Sequence, residues 1–327
     1  MSRTLTAAAE SLPLAHPFRI SRGVKTAAEV VTVEIADGDC VGRGEAVPYP
    51  RYGETVADAL AAIRDAAPGL NQGATRDELI ALMPAGAARN AVDCALWDLE
   101  ARLQRRSVAA MIGQPEPAPV ATAMTVGLDT PEKMAQAARA LAHVPLLKVK
   151  VDGSDPEAQL AAVRAAAPRP RLIVDPNESW TIAHVRSLQP LLAELRVDVL
   201  EQPLPAGEDE ELAGLSPTVP IAADESVHVL DDVRRLADRY QIINIKLDKT
   251  GGLTTALRLA RAAEDQGLGV MVGCMICSSL SIAPALHLAA RAAFADLDGP
   301  FWLVDDRAGG VREKGGMLIP PEAGFWG

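Results

Sequence analysis

The sequence has 327 residues, of which 49% are hydrophobic and 23% charged, so we expect a folded globular protein of one or two domains. Its formal net charge of −11 argues against nucleic acid and anionic membrane as partners. Four cysteines are too few for a disulfide framework, and no apolar run suits a signal peptide or a membrane span, so we expect a cytoplasmic protein.

The first 50 residues alternate apolar and polar positions in two or three runs, which predicts an antiparallel meander of strands. The clearest run is residues 30–35, and a turn signal follows it. Two loops stand out: a basic loop at residues 18–25 and a loop at residues 48–54 that carries two of the three tyrosines. Both are ordinary solvated connections unless the meander covers an active site.

Residues 54–112 have the composition and spacing of helices, and small and apolar side chains at residues 85–99 predict a well-buried helix. Three prolines within residues 114–119 prevent a helix from continuing, so we place a domain boundary there. An α+β capping domain would then span residues 1–115. We expect residues 301–327 to return to this domain and complete it, and residues 116–300 to form the catalytic domain.

Beyond that boundary, eight short apolar segments alternate with alanine-rich stretches, and we expect a helix after each of the first seven. This alternation predicts a parallel sheet with right-handed crossovers, and eight such units close into a (β/α)8-type, modified TIM barrel. An open doubly wound sheet is the alternative, but no Gly-x-Gly-x-x-Gly motif follows the first strand. The predicted strands are residues 120–126, 146–151, 172–175, 197–201, 221–224, 242–247, 269–274 and 293–297.

Polar side chains stand at the carboxyl ends of five consecutive predicted strands, the end where barrel enzymes hold their active sites. In chain order they are Lys148 with Lys150, Asp175, Glu201, Asp224 and Lys246. The three carboxylates would repel one another unless a cation lay among them, and all-oxygen ligation favours one Mg²⁺ per chain. Three separate helix caps are the plainer alternative.

Lysines flank this predicted magnesium site on both sides. Lys148 and Lys150 share one face of their strand, and mutual repulsion with partial burial would lower a lysine pKa and leave one amine available as a base. Protection of an edge strand is the other interpretation of the pair. With Lys246 beyond the metal, a bound substrate carboxylate would have a base on each face of its α-carbon. That arrangement fits racemisation or epimerisation, and also β-elimination or cycloisomerisation.

As a set, these residues resemble the enolase superfamily, in its muconate-lactonising branch with Lys-x-Lys on strand two and lysine on strand six. The resemblance covers essentially the whole chain and is closest to dipeptide epimerases that act on Ala-Glu, a product of bacterial cell-wall peptide turnover. It implies that Lys150 and Lys246 exchange the α-proton while Lys148 helps to stabilise the negative charge that develops. The segments that carry the resemblance are residues 17–23, 48–54, 85–91, 148–150, 244–252, 273–275 and 296–300.

The same resemblance implies substrate contacts. Asp296 and Asp298 lie two residues apart and would bind the ammonium of the dipeptide, although a strand-end turn is the plain alternative. Arg22 would meet the side-chain carboxylate of the glutamate, with Lys25 as a second candidate. The remaining implied contacts are Thr125, Cys274 and Met275.

Two other classes of protein stay open. The first is another enzyme of the branch, namely o-succinylbenzoate synthase, muconate cycloisomerase or an N-acylamino-acid racemase. Their substrates lack a free ammonium, so the Asp296 and Asp298 pair argues against them. The second is a non-catalytic barrel that binds metal or peptide, which the two lysine sets disfavour. The sequence does not determine the oligomeric state, and a homo-oligomer stays open.

Overall fold

A computed structural model describes residues 3–327. Its first region, which we call the cap, begins with a three-stranded antiparallel sheet in chain order, as the alternating pattern predicts. The strands are β1 (Thr4–Ile20), β2 (Gly23–Asp37) and β3 (Cys40–Ala46). Four helices follow, namely α1 (Val56–Asn71), α2 (Arg76–Leu82), α3 (Ala87–Gln104) and α4 (Val108–Ile112).

Helix α3 is the buried centre of the cap and packs directly on β3. A Cβ atom at Gly44 would lie 2.0 Å from the Ala91 carbonyl oxygen, and one at Gly42 would lie 2.2 Å from that of Ala95. Only glycine permits this approach of strand to helix. The glycines of β3 therefore set how closely α3 packs, and α3 in turn contacts the second region.

The strands of the second region are β4 (Val120–Ala121), β5 (Met124–Val126), β6 (Leu146–Lys150), β7 (Arg171–Asp175), β8 (Val199–Glu201), β9 (Ile221–Ala223), β10 (Ile242–Lys246), β11 (Gly269–Gly273), β12 (Phe294–Asp296), β13 (Arg312–Lys314) and β14 (Met317–Ile319). Strands β5 to β12 form one parallel sheet in chain order. The Ala123 N–H donates to the Ala295 carbonyl oxygen (2.8 Å), and this contact joins the last strand to the first. The predicted fold, a (β/α)8-type barrel with an α+β cap, is confirmed.

The helices around the barrel are α5 (Pro131–Ala140), α6 (Pro156–Ala166), α7 (Ile182–Glu194), α8 (Leu230–Leu236), α9 (Leu247–Thr250), α10 (Leu253–Asp265) and α11 (Ser279–Ala289). The expectation of a helix after each of the first seven strands is wrong for β8. Residues 202–220 contain four prolines and two glycines, which prevent a regular helix. Within them lies only a 3₁₀ turn, Glu210–Leu212.

The predicted first strand, residues 120–126, is also corrected, because it is broken in two. β5 belongs to the barrel, whereas β4 pairs antiparallel with β14 of the carboxyl-terminal hairpin. At the break, the Thr122 hydroxyl oxygen accepts a hydrogen bond from the Leu297 N–H (2.9 Å), so this residue serves the barrel closure.

Side chains inside the barrel lie in layers that contain one position from each strand. The lowest layer is a separate apolar cluster of Ala123, Leu146, Ile173, Val199, Ala222, Ile242, Met271 and Phe294. Because side chains alternate along a strand, the positions two residues further on face the same interior. We call these positions the polar layer: Thr125, Lys148, Asp175, Glu201, Asp224, Asn244, Gly273 and Asp296. The apolar layer thus lies directly beneath the polar layer inside the barrel.

The end of the chain contacts the cap. The Gly327 N–H donates to Asp98 Oδ1 (2.9 Å), and Trp326 Nε1 donates to the Arg43 carbonyl oxygen (3.0 Å). No helix between residues 3 and 327 combines the length and the apolar character needed to cross a lipid bilayer.

Candidate active site

A cavity of about 470 Å³ lies at the carboxyl ends of the barrel strands. Both loops singled out in the cap sequence reach it, residues 18–25 and residues 48–54. They are therefore walls of the cavity as well as connections. Ten of the twelve predicted site residues line it, namely Arg22, Thr125, Lys148, Lys150, Asp224, Lys246, Cys274, Met275, Asp296 and Asp298.

The other two predicted residues, Asp175 and Glu201, are buried next to Lys148. The Lys148 Nζ lies 3.0 Å from Asp175 Oδ2, 2.7 Å from Glu201 Oε2 and 2.8 Å from Asp296 Oδ2. Lys150 Nζ lies 2.5 Å from the same Asp175 oxygen. The lysine pair on β6 therefore faces the barrel interior, as the strand pattern predicts, and its charges are balanced by carboxylates of neighbouring strands.

A second group of ion pairs lies around Asp224. Its Oδ2 is 2.7 Å from Lys246 Nζ, and its Oδ1 is 2.6 Å from Lys249 Nζ. Strand β10, which carries Lys246, is four strands away from β6 in an eight-stranded barrel. Lys150 and Lys246 therefore approach the cavity from opposite walls, with the three acid-bearing strands β7 to β9 between them.

The expectation that repulsion and burial lower the pKa of the lysine pair on β6 is wrong for Lys148, and Lys246 shows the same effect as Lys148. Burial does act to lower both, but nearby carboxylates outweigh it. Asp296 and Glu201 hold the pKa of Lys148 well above its usual range, and Asp224 does the same for the pKa of Lys246. The sequence pattern identifies the like charges on one strand but not the acids that face them from neighbouring strands.

The three predicted metal ligands differ in their environments. At Asp175 and Asp224, lysines outweigh burial and hold the pKa of each carboxyl below its usual range. At Glu201, burial dominates and raises the pKa to about 7 despite the nearby Lys148. Of the three carboxylates, Glu201 is therefore the one whose negative charge is least balanced by nearby cations.

Nothing within residues 3–327 brings three or more His, Cys, Asp or Glu side chains together in a geometry that would hold a metal ion. The chemistry of the site nevertheless fits a hard cation. Among the side chains of residues 3–327, four buried oxygens receive no hydrogen bond: Asn177 Oδ1, Glu201 Oε2, Glu225 Oε2 and Asn244 Oδ1. The Glu201 oxygen lies close to Lys148 Nζ as an ion pair, but at an angle that makes no hydrogen bond. Acceptor oxygens that lack a hydrogen bond, on or just after β7 to β10, are suited to Mg²⁺, and the ligand set stays a prediction.

Sequence reasoning missed the acids that hold Arg22. Its guanidinium lies 2.8 Å from Glu225 Oε1 and 3.0 Å from Glu178 Oε2. Glu178 also accepts two hydrogen bonds from Arg51, at 2.8 and 2.7 Å. Glu225 directly follows Asp224, and Glu178 comes three residues after Asp175. Their position just beyond a strand end was the available signal.

Asp296 and Asp298 both face the cavity, and the structure brings them close to Thr125. Asp298 Oδ2 accepts from the Thr125 N–H (2.9 Å) and from Trp302 Nε1 (3.3 Å). Burial, with the neighbouring charge of Asp296, raises the pKa of Asp298 to about 6. A cation here would relieve both effects, which is the chemistry expected of an ammonium-binding pair.

Comparison with known families covers nearly the whole chain. Residues 2–113 match the N-terminal domain of mandelate racemase / muconate lactonizing enzyme, and residues 132–324 match the enolase C-terminal domain-like family. The chain is 49% identical over 306 residues to the L-Ala-D/L-Glu epimerase of Escherichia coli K12, covering 93% of this chain and 95% of that protein. It is 42% identical to the N-acetyl-D-glutamate racemase of a Pseudoalteromonas species, covering 91% and 95%.

Solved structures give the same result. An enolase family member from Agrobacterium tumefaciens, with homology to dipeptide epimerases and with sodium and L-Ala-L-Glu bound, superposes with a TM-score of 0.97 at 49% identity, covering 99% of this chain and 100% of that one. A dipeptide epimerase from Methylococcus capsulatus, complexed with Mg and L-Arg-D-Lys, superposes with a TM-score of 0.90 at 34% identity, covering 98% of each chain.

Proposed function

Since the chain belongs to the mandelate racemase / muconate lactonizing enzyme family of the enolase superfamily, we propose that it is a dipeptide epimerase acting on L-Ala-D/L-Glu. It is an isomerase that inverts the α-carbon of the carboxyl-terminal residue. The observation that carries the proposal is the placement of Lys150 and Lys246 on barrel strands four apart, on either side of three acid-bearing strands.

Inversion requires proton transfer at both faces of one carbon. One lysine, as the neutral amine, takes the α-proton, and the other, as the ammonium, delivers a proton to the opposite face. The two lysines exchange these roles when the substrate has the other configuration. Lys148 adds positive charge on the β6 side of the cavity. One Mg²⁺ per chain, held by Asp175, Glu201 and Asp224, would supply the further positive charge that makes the α-proton more acidic.

The remaining cavity residues orient the dipeptide. Asp296 and Asp298 would bind its ammonium, because two buried carboxylates at one place favour a cation. Arg22 faces the cavity from the cap, where the side chain of the inverted residue would lie. Further proposed contacts are Thr125, Cys274 and Met275.

An N-acylamino-acid racemase is the second candidate, because one relative at 42% identity is an N-acetyl-D-glutamate racemase. Its substrate has no ammonium for Asp296 and Asp298 to bind. The two functions therefore predict opposite preferences for a free amino terminus.

The test is incubation of the enzyme with Mg²⁺ in deuterium oxide, with a set of Ala-X dipeptides and matching N-acyl amino acids. Mass spectrometry would detect a gain of one deuterium, and NMR would locate it. We expect exchange at the glutamate α-carbon of both L-Ala-L-Glu and L-Ala-D-Glu, with interconversion of the two. Exchange in N-acetylglutamate alone would replace the proposal with the second candidate, and exchange in neither would refute both.

A further inference from the structure

The loops after β7 and β8 follow two of the predicted magnesium ligands, and their backbone is unusual. Between residues 3 and 327, five residues other than glycine have a positive φ, and three of them lie in these two loops. They are Asn177 (46°), Glu178 (67°) and Gln202 (32°). This left-handed region is unfavourable for a residue with a side chain, so surrounding contacts must hold the backbone there. The contacts of Gln202 reach the strands on both sides of its own.

Gln202 directly follows Glu201 and is completely buried. Its N–H donates to the carbonyl oxygen of Ala222 in β9 (2.8 Å), and its carbonyl oxygen accepts from the Glu178 N–H in the loop after β7 (2.9 Å). The backbone of one residue thus bonds to both neighbours of β8. The other two predicted ligands lie at the carboxyl ends of those neighbouring strands.

The side-chain amide of Gln202 holds the segment that follows β9. Its Oε1 accepts two hydrogen bonds, from the Asp224 N–H (2.8 Å) and from the Ser226 N–H (3.1 Å). Its Nε2 donates to the carbonyl oxygen of Leu204 (2.8 Å) and to the hydroxyls of Ser226 (2.9 Å) and Tyr240 (3.0 Å). The amide therefore fixes the backbone from which the Asp224 carboxylate projects.

The buried carboxylate of Asp209 anchors the far side of this network. Its Oδ2 accepts from the Tyr240 hydroxyl (2.7 Å) and from the Ser226 hydroxyl (2.5 Å), and its Oδ1 pairs with Arg239 Nη1 (2.8 Å). Because each hydroxyl gives its one proton to Asp209, its oxygen is left to accept from the Gln202 amide. The network thus fixes the orientation of that amide.

We propose that Gln202 is a positioning residue that holds the three carboxylate-bearing strand ends at the spacing that Mg²⁺ requires. Mg²⁺ demands near-ideal octahedral geometry, so its ligands must be held at defined positions, and groups behind the ligands commonly do this. The inference rests on the proposed function, because it takes Asp175, Glu201 and Asp224 as the ligands. It adds the residue that connects all three.

The test compares metal affinity in two matched variants. Mn²⁺ replaces Mg²⁺ in a titration without substrate, because electron paramagnetic resonance then distinguishes free from bound ion. Methionine is unbranched and flexible, like glutamine, but lacks the amide donor and acceptor. We expect Gln202→Met to weaken Mn²⁺ binding by about 10- to 100-fold, which is typical when a group that orients a metal ligand is lost.

Gln189→Met is the matched control. Gln189 is a second buried glutamine, in α7, and its Oε1 accepts from the Val219 N–H (2.8 Å) just before β9. It therefore bonds near the amino end of the strand whose carboxyl end Gln202 holds. The change should destabilise the fold and leave Mn²⁺ affinity within about twofold of wild type. Urea unfolding of both variants measures the loss of stability that a merely structural role would share.

Unchanged Mn²⁺ affinity in Gln202→Met, or an equal loss in Gln189→Met, would overturn the inference, as would a wild type that binds no Mn²⁺. If Gln202→Met does not fold, Tyr240→Phe removes one hydroxyl partner of the amide and keeps the ring. It should weaken Mn²⁺ binding by about 2- to 10-fold, the contribution of one hydrogen bond. Wild-type affinity in Tyr240→Phe would then reject the role of Gln202.

The deuterium-exchange assay separates this inference from the proposed function. Exchange at the glutamate α-carbon, with a Mn²⁺ affinity that does not depend on Gln202, would retain the epimerase and reject the role of Gln202. A Gln202-dependent Mn²⁺ affinity without exchange in any dipeptide would reject the epimerase and retain a metal site that Gln202 organises.

Discussion

Gly273 occupies the position of the polar layer that borders Lys246. A Cβ atom there would lie 2.7 Å from Asn244 Oδ1 and 3.1 Å from Lys246 Cε. Glycine at this position thus leaves room for both the Asn244 amide and the Lys246 side chain.

We therefore expect Gly273→Ala to displace the Lys246 amine and lower kcat by about 10- to 100-fold, because displacement of a reacting group by about an ångström has an effect of that size. Gly269→Ala, at the other end of the same strand, is the control, since the shortest contact of its Cβ would be with the Ile242 side chain at 3.2 Å. Steady-state kinetics of both variants decide the matter. Equal activity in the two would contradict the role of Gly273.

The two-base proposal makes a sharper prediction. Lys150→Ala and Lys246→Ala should each reduce epimerisation by roughly 10²- to 10⁴-fold, because each removes one of the two proton-transfer groups. Exchange with deuterium oxide should survive in each variant for one configuration of the glutamate, and the configuration should differ between them. Proton NMR of the α-hydrogen checks this. Survival of the same configuration in both variants would rule out amines on opposite faces.

At the scale of single residues, the sequence pattern predicts which side chains lie on the interior face of a strand and at which end. Alternation along β6 placed Lys148 and Lys150 on the interior face, and the spacing of the acids placed them at one mouth. The same alternation would also have found Asn244, two residues before Lys246. The charge states were not predictable, because they depend on which carboxylate of another strand meets each amine.

At the scale of elements, α3 joins the cap to α10, the second helix after the Lys246 strand. Asp93 Oδ2 accepts from the Thr254 N–H (2.9 Å) at the start of α10, and Oδ1 accepts from the Thr254 hydroxyl (2.6 Å). Burial raises the pKa of Asp93 to about 6, although the Thr254 hydrogen bonds and the nearby Arg76 and Arg89 oppose this effect.

A carboxyl whose pKa is higher in the folded state stabilises that state at low pH. The contribution is complete below the unfolded pKa and is lost as the pH rises through about 6. Asp93→Asn removes this titration. We expect the difference in free energy of unfolding, wild type minus variant, to fall by about 1–2 kcal/mol between pH 5 and pH 8. Urea unfolding at a series of pH values measures it, and a pH-independent difference would contradict the assignment.

Most elements were predictable, and each failure has a specific physical cause. The pattern of apolar residues located the barrel strands, because each strand buries apolar side chains against the surrounding helices. It failed at residues 120–126, where pairing with β14 depends on a segment almost 200 residues away. It also failed after β8. The alternation of strands and helices predicted a helix there, but the prolines of that segment prevent one.

For the whole molecule, Trp326 connects the cap to the barrel. Its indole is 7% exposed, donates to the carbonyl of Arg43 in β3 and lies 5.8 Å, centre to centre, from the ring of His287 in α11.

Trp326→Ala should lower the free energy of unfolding by about 3 kcal/mol, since it removes a large buried side chain and one hydrogen bond. Val304→Ala, in the same carboxyl-terminal segment but 56% exposed, should change it by less than about 0.5 kcal/mol. Chemical denaturation followed by circular dichroism gives both values. If the Trp326 variant were as stable as the Val304 variant, the Trp326 side chain would not stabilise the packing of the cap on the barrel.

The β1–β2 hairpin has one more consequence. It carries Arg22, a proposed substrate contact, whereas the two amines that we propose as proton-transfer groups are on β6 and β10. The proposed contact with the substrate side chain is therefore encoded in a different stretch of the gene from the proposed proton-transfer groups. Exchange of residues 18–25 alone could retune which dipeptides are accepted and leave the reaction intact, so new specificities can arise in this lineage through short, local changes.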